Sequence, residues 1–269
     1  MLASVSRVGG SIGDDPLTPA TLALLAELDL TPKPGLVDRE HRGAHRDMDA
    51  ERMEAGARAL DETFVALALI GCEARVPSRE LREEMGSLAR AGERAMLRAT
   101  GGVNTHRGAL WSLGLLTTAR FLDGTNSATD IARRGSRLAE IRDRFAPRHA
   151  TNGACVERRF GAPGARGEAL AGFPRTLYVA LPILRAGGPR CAANALLAVI
   201  AKLDDTCVLH RGGREGLNFV RSHACRALAL GDDAALRDFD RALVARGLSP
   251  GGSADALAAA FLLTNLASV

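Results

Sequence analysis

The chain has 269 residues, 46% hydrophobic and 25% charged, with a formal net charge of +4 at pH 7, which provides for a sizeable core and excludes a mainly disordered protein. Lys33 and Lys202 are its lysines, so nearly all positive charge is guanidinium. No dense basic run occurs, and arginines alternating with acids read as solvated helix faces rather than a nucleic-acid surface.

Residues 1–16, rich in glycine and serine, are expected to be a flexible N-terminus, and residues 17–269 a single domain. Thr18 as cap and Pro19 at the first helical position open a helix to about Leu30. Thr31-Pro32-Lys33-Pro34-Gly35 stops it, and a polar loop follows to Asp49. Leu60, Phe64, Leu67 and Gly71 then fall on one helical face. Ser78 caps a helix to about Arg98, and Thr100 to Thr105 is a glycine-containing break. Leu110, Leu113, Thr117 and Phe121 mark the next helix, and Ser127 caps another to about Phe145. Residues 147–166 read as loop. Helices are predicted over about 167–185, 190–203, 214–230, 233–246 and 253–267. Aromatics make up 4%, alanine, leucine and arginine dominate, and no strand alternation or βαβ rhythm occurs. The expected fold is an all-α, single-domain bundle of roughly nine to eleven helices with glycine-rich active-site loops.

Five cysteines fit no zinc spacing. Cys72, Cys191 and Cys225 lie among apolar helical residues and are expected to be buried thiols in a reducing cytoplasm. No signal pattern opens the chain and no apolar run is long enough to span a bilayer, so neither a membrane nor a nucleic acid is an expected partner. An apolar helix face would equally serve a homo-oligomer or the core.

Five polar segments interrupt the helices. Lys33 sits between two prolines, and Arg46, Asp47 and Asp49 follow in Gly43-Ala44-His45-Arg46-Asp47-Met48-Asp49. The spacing of His41 and His45 would suit a metal on a helix, but Gly43 between them opposes that helix. Asp47 and Asp49 are hard oxygen ligands, though Asp49 equally suits a helix cap. Gly101 and Gly102 precede Asn104, His106 and Arg107 at a helix start, where turned amides and the helix dipole favour an anion. Arg166 and Glu168 lie two apart between glycines. Asp204 and Asp205, followed by His210, Arg211, Gly212 and Gly213, are expected at the C-terminal end of a helix. Adjacent carboxylates there oppose the dipole, which a metal would relieve. Ser249, Gly251, Gly252 and Ser253 open the last helix, with Ser253 a plausible cap. Together these segments point to a polyphosphate and magnesium site in a helical protein.

The motifs TPKPGLVD, GAHRDMD, TGGVNTHRGA, GARGEAxxGFP, DDTxVLHRGG and LSPGGSAD occur in this order over about residues 31–262. In this the chain resembles the triphosphoribosyl-dephospho-CoA synthases that serve citrate lyase or malonate decarboxylase. It departs from the family's habit at Phe160, Cys207 and Gly247, where tyrosine, asparagine and asparagine are usual. The resemblance implies an all-helical fold and a transferase that uses ATP and dephospho-CoA. Adenine leaves, the 2′-hydroxyl of dephospho-CoA takes its place on C1, and a separate transferase later passes the product to an acyl carrier protein. Inversion by one displacement, through a state of oxocarbenium character, fits a β substrate and an α product.

Three tasks follow: holding the triphosphate, deprotonating the hydroxyl and protonating adenine. Mg²⁺ is expected on Asp204 and Asp205, with Asp47 or Asp49 as further ligands. Lys33, Arg46, Asn104, His106, Arg107, Arg166 and Arg211 are expected to bind substrate phosphates. The amides of Gly101-Gly102, Gly212-Gly213 and Gly251-Gly252, with Ser249 and Ser253, would support them. Glu168 or His45 is the candidate base and His210 the candidate acid. Competing readings are a magnesium-dependent diphosphate enzyme, a nucleotide-binding module without turnover, and a hydrolase lacking an acceptor. The first is disfavoured because Thr, Cys and Val follow Asp204-Asp205, so no D-D-x-x-D pattern forms.

Overall fold

The computed structural model describes residues 17–147 and 152–267; the expected flexible N-terminus, 1–16, lies outside the described residues. These hold thirteen α-helices and one π-helical turn, and none of the helices is long and apolar enough to cross a membrane. In order they are α1 (Pro19–Asp29), α2 (Ala50–Ala59), α3 (Asp61–Ala74), α4 (Arg79–Ala99), α5 (Arg107–Phe121), α6 (Ala128–Glu140) and α7 (Asn152–Phe160). After these come α8 (Gly164–Leu170), the π turn (Thr176–Ala180), α9 (Leu181–Ala186), α10 (Cys191–Lys202), α11 (Thr206–Leu230), α12 (Asp233–Arg246) and α13 (Gly251–Leu266).

The helix starts follow local chemistry. Thr18, Ser78 and Ser127 cap α1, α4 and α6, each accepting from a backbone amide in the first turn. Helix α5 packs against α3, α4, α6, α8 and α13, and α13 also meets α1, α9, α10 and α11. Both are apolar or small on nearly every side, so they form the buried centre. Gly71 of α3 lets the backbones close up, since a Cβ there would meet the Thr118 carbonyl of α5 at 2.6 Å.

Several boundaries differ from expectation. The helix expected from Asp49 breaks at Leu60, whose amide bonds back to Ala57 and Arg58. The buried face nonetheless runs on through Leu60, Phe64 and Leu67. The helix expected over 167–185 divides into α8, the π turn and α9. Leu181 N donates to Thr176 O just before Pro182, which has no amide hydrogen. Helix α6 ends at Glu140 rather than near Phe145. Helix α7 occupies part of the expected loop 147–166, with Val156 buried against the core. Helix α11 starts at Thr206, eight residues earlier than expected, and continues through a kink at Gly213 (φ 60°, ψ −158°). Cys72 and Cys225 are exposed and Cys191 is partly buried, because the apolar faces of their helices point elsewhere.

Candidate active site

Helices α5, α11 and α13 all begin at one groove. Its first chamber, about 370 Å³, is lined by Lys33, His45, Asp47, His210, Arg211 and Ser249, among others. Its second, about 480 Å³, is lined by Trp111, Arg166, Glu168, Phe173, Asp204 and Ala259, among others. The chambers share Asn104, Arg107, Gly108, Thr206, Cys207 and Asp255, so they form one continuous cleft. Three helix N-termini facing the same space give it a positive potential.

Asp255 lines both chambers beneath that potential, and Asp205 lies behind their wall, lining neither. Asp205 is buried and accepts from the amides of Cys207 (2.9 Å), Gly252 (3.3 Å) and Ser253 (2.8 Å) and from the Ser253 hydroxyl (2.9 Å). It caps α11, so it complements a helix dipole instead of opposing one, and it fills the anion position at the start of α13. Asp204 instead lines the second chamber and pairs with Arg221 at 3.0 Å. The two neighbours are therefore not brought together. Asp255, a residue that sequence reasoning missed, accepts from the Ala109 amide and lines both chambers. A Cβ on Gly108 would collide with its carboxylate, so glycine there keeps room for it. Burial and the negative charges of Asp205 and Glu27 push its pKa up to about 8.

Two of the histidines, His45 and His106, are held in place and kept neutral by burial. His45 Nε2 lies 2.8 Å from Ser249 Oγ and its Nδ1 lies 3.2 Å from Arg211 Nη2. A guanidinium only donates, so Nδ1 accepts and Nε2 carries the hydrogen. Burial, then the neighbouring Arg211, lowers the pKa of His45 to about 4. Both nitrogens are thus committed, which leaves it poorly suited to the base role expected of it. Burial also lowers the pKa of His106, whose Nε2 donates to Met53 O at 2.9 Å. It reaches the first chamber as a neutral side chain, not as the expected phosphate cation. His210 is exposed in the first chamber.

The cations divide between floor and rim. Lys33 is buried with its ammonium on Glu27 at 2.6 Å, so its charge is neutralised within the wall. Arg107, Arg166 and Arg211 are exposed. Arg107 pairs with Glu93, and Arg211 donates to the Ala44 and Gly247 carbonyls. Arg46 is exposed and lines neither chamber. Glu168 is mostly buried, and its Oε1 accepts from Arg175 N at 2.5 Å. Burial raises its pKa against that hydrogen bond. Phe173 stands nearby in the left-handed region (φ 58°), a strained position for a side chain on the chamber wall.

The glycine pairs behave differently from expectation. The Gly101 and Gly102 amides donate to Arg98 O and Leu97 O, ending α4, so they are not free to hold an anion. Gly212 lies within α11 beneath Leu248, and Gly213 makes the kink. Gly251 and Gly252 do line the groove, with the Gly252 amide given to Asp205. Ser253 is the third residue of α13 rather than its cap. Asn104 Oδ1 accepts from Arg107 N at 3.1 Å and so serves the start of α5.

A magnesium ion can be tested against these donors. Asp49 caps α2 through Arg52 N and pairs with Arg42. Among the described residues no three His, Cys, Asp or Glu side chains converge on a metal position. Asp47 keeps an exposed carboxylate at the first chamber. That suits a single protein ligand to magnesium, the remaining positions coming from phosphate and water.

The chain matches the model of the family described as ATP:dephospho-CoA triphosphoribosyl transferase (CitG) over residues 15–269. It is 44% identical over 261 residues to a 2-(5″-triphosphoribosyl)-3′-dephosphocoenzyme-A synthase of Klebsiella pneumoniae, covering 92% of this chain and 93% of that one. A protein of Azotobacter vinelandii assigned the same activity is 45% identical over 258 residues, 91% of this chain and 88% of its own. The crystal structure of an Archaeoglobus fulgidus protein assigned as a triphosphoribosyl-dephospho-CoA synthase superposes with a TM-score of 0.58 and 17% identity. It covers 78% of this chain and 97% of that one, a likeness of fold.

Proposed function

Since the chain belongs to the ATP:dephospho-CoA triphosphoribosyl transferase family, we propose that it joins the ribose of ATP to dephospho-CoA. The N-glycosidic bond of ATP breaks, adenine leaves, and the 2′-hydroxyl oxygen of dephospho-CoA bonds to C1. The triphosphate stays on the sugar. The observation that carries this reading is the two-chambered cleft with Asp255 on the wall common to both chambers. Two nucleotides that react with each other need two adjoining sites and a proton carrier where they meet.

In this reading the first chamber takes ATP, with Arg107 and Arg211 meeting its triphosphate. Magnesium entering on the triphosphate would neutralise part of its charge, with Asp47 as its protein ligand. The ionised form of Asp255 stabilises positive charge developing at C1 and then takes the proton of the acceptor hydroxyl as its oxygen bonds to C1. A pKa near working pH suits a group that must accept and release a proton in each cycle. His210, exposed in the same chamber, supplies the proton to adenine. His45 holds Ser249 and Arg211 in place. In this reading the product is the precursor of the prosthetic group of a malonate decarboxylase or citrate lyase acyl carrier protein, passed on by a separate transferase.

The test is to incubate the purified chain with ATP, Mg²⁺ and dephospho-CoA and to follow adenine and product mass. Adenine formed only with dephospho-CoA, beside a triphosphoribosyl adduct, is the expected result. Adenine with free triphosphoribose would make it a hydrolase, and no adenine under any condition would reduce the cleft to a binding site.

A further inference from the structure

A third chamber, about 200 Å³, opens beside the second between α4, α5 and the segment after α6, and shares Arg107 and Trp111 with it. Its charged lining is Arg82, Arg90 and Arg107 against Glu93 and Asp143. Arg107 is paired with Glu93, and Arg90 with Asp143 at 2.6 Å. The second oxygen of Asp143 accepts from Phe145 N at 2.8 Å. Arg82 is therefore the surplus cation.

Arg82 is 8% exposed and, among the described residues, makes no hydrogen bond or ion pair; its Nε is buried without a partner there. Its guanidinium lies over the Trp111 ring, 4.9 Å from the centroid. The indole Nε1 of Trp111 is likewise buried and unpartnered. The terminal nitrogens of Arg82 remain accessible, while a buried donor without an acceptor costs stability. Both orphan groups are donors and neither can accept, so the partner they lack is an acceptor. Asp143 attracts the Arg82 charge but is held by Arg90, and Arg90 and Arg166 add to the positive potential, so the missing acceptor is an anion. An aromatic ring beside a guanidinium fork, next to a chamber walled by Phe173, Ala256 and Ala259, matches a nucleotide whose phosphates turn aside from its apolar portion.

We propose that this third chamber receives the diphosphate of the acceptor nucleotide, dephospho-CoA, with Arg82 as the cation that meets it and Trp111 as the wall beside it. The inference rests on the reaction proposed above. It places the acceptor in the second chamber, its 2′-hydroxyl toward Asp255 and its diphosphate away from the triphosphate of ATP.

Trp111 is the only tryptophan in the chain, so intrinsic fluorescence reports on this chamber without turnover. Dephospho-CoA is titrated into the full-length protein and into Arg82→Gln and Arg82→Lys. The expected result is a saturable change in the wild type, its midpoint weakened roughly tenfold to a hundredfold in Arg82→Gln and less in Arg82→Lys. The KM for ATP should change less than about twofold, while the KM for dephospho-CoA follows the midpoint. The Tm of Arg82→Gln should equal or exceed that of the wild type, because a buried donor without an acceptor is removed; a structural arginine would lower it. Equal midpoints in wild type and Arg82→Gln, or no saturable change in the wild type, overturn the assignment. Should Arg82→Gln fail to fold, equal midpoints in wild type and Arg82→Lys do the same. The binding arm stands apart from catalysis: absent adenine release would remove the proposed reaction, and the titration would still decide the phosphate site.

Discussion

Asp205 accepts both the amide and the hydroxyl of Ser253, at 2.8 and 2.9 Å, while its other oxygen accepts from Cys207 and Gly252. One buried carboxylate thus ties together the first turns of α11 and α13, two of the three helices whose starts form the cleft.

Removing that carboxylate should cost stability before it affects anything else. Asp205→Ala leaves two helix starts without their acceptor, each worth about 0.5–2 kcal/mol, so a loss of about 1–4 kcal/mol is expected in urea denaturation. Ser253→Ala, which removes only the hydroxyl bond, should lose about 1 kcal/mol. A stable Asp205→Ala protein with a weakened response to Mg²⁺ would return this residue to the role of metal ligand.

The Lys33–Glu27 pair, buried at 2.6 Å, should show the asymmetry of buried ion pairs. Lys33→Met alone strands a buried carboxylate and is expected to cost about 3–5 kcal/mol. The double variant Glu27→Leu/Lys33→Met should recover much of that. A double variant as unstable as the single would mean that the loss comes from packing, not from the stranded charge. Denaturation midpoints of the three proteins separate these outcomes.

Asp255 should make stability depend on pH. Its pKa rises from an ordinary 3.8 to about 8 on folding, so the folded state holds a proton that the unfolded chain releases. Stability from this group is therefore present below the unfolded pKa, is lost as pH rises toward 8, and changes no further above that. Asp255→Asn cannot ionise and should gain Tm over the wild type as pH rises from 5 to 9, by several degrees. Its kcat should fall roughly 10²–10⁴-fold, the range of general acid–base catalysis. An unchanged kcat would take the proton transfer away from this residue.

Gly35 and Gly101 both have positive φ, 69° and 67°, but only Gly35 is crowded, against the Leu248 carbonyl and Leu243. Gly101→Ala should cost about 1 kcal/mol and leave adenine release unchanged, because the Gly101 amide ends α4 rather than holding an anion. Gly35→Ala should cost well over about 2 kcal/mol by the same measurement, since strain and collision add. Loss of activity in a folded Gly101→Ala protein would restore the anion role expected of that loop.

Much was legible locally. Thr18, Ser78 and Ser127 cap the helices they were expected to cap, and Leu60, Phe64 and Leu67 lie on a buried face. The expected motifs do contribute Lys33, His45, Arg107, Glu168, His210, Arg211 and Gly251 to one cleft. What failed was the inference from composition to availability. Gly102, His106 and Lys33 look like phosphate ligands in the sequence, yet each is already engaged, by Leu97 O, Met53 O and Glu27.

The sequence by itself determined the all-helical class, the caps at Thr18, Ser78 and Ser127, the apolar face through Leu60, Phe64 and Leu67, and, through six ordered motifs, the family. Those properties depend on residues within a turn or two of each other, which the chain order preserves. Only the tertiary structure decided which polar groups are free. Asp205 became a cap because α11 begins at Thr206 and α13 arrives beside it. Asp255 became a buried carboxylate with a raised pKa because α5 buries it near Asp205 and Glu27. Arg82 became a surplus cation because its neighbour Asp143 is held by Arg90. Each outcome turns on burial and on a partner distant in the chain, and a charge's partner and solvation are set by the packing of helices rather than by spacing along them.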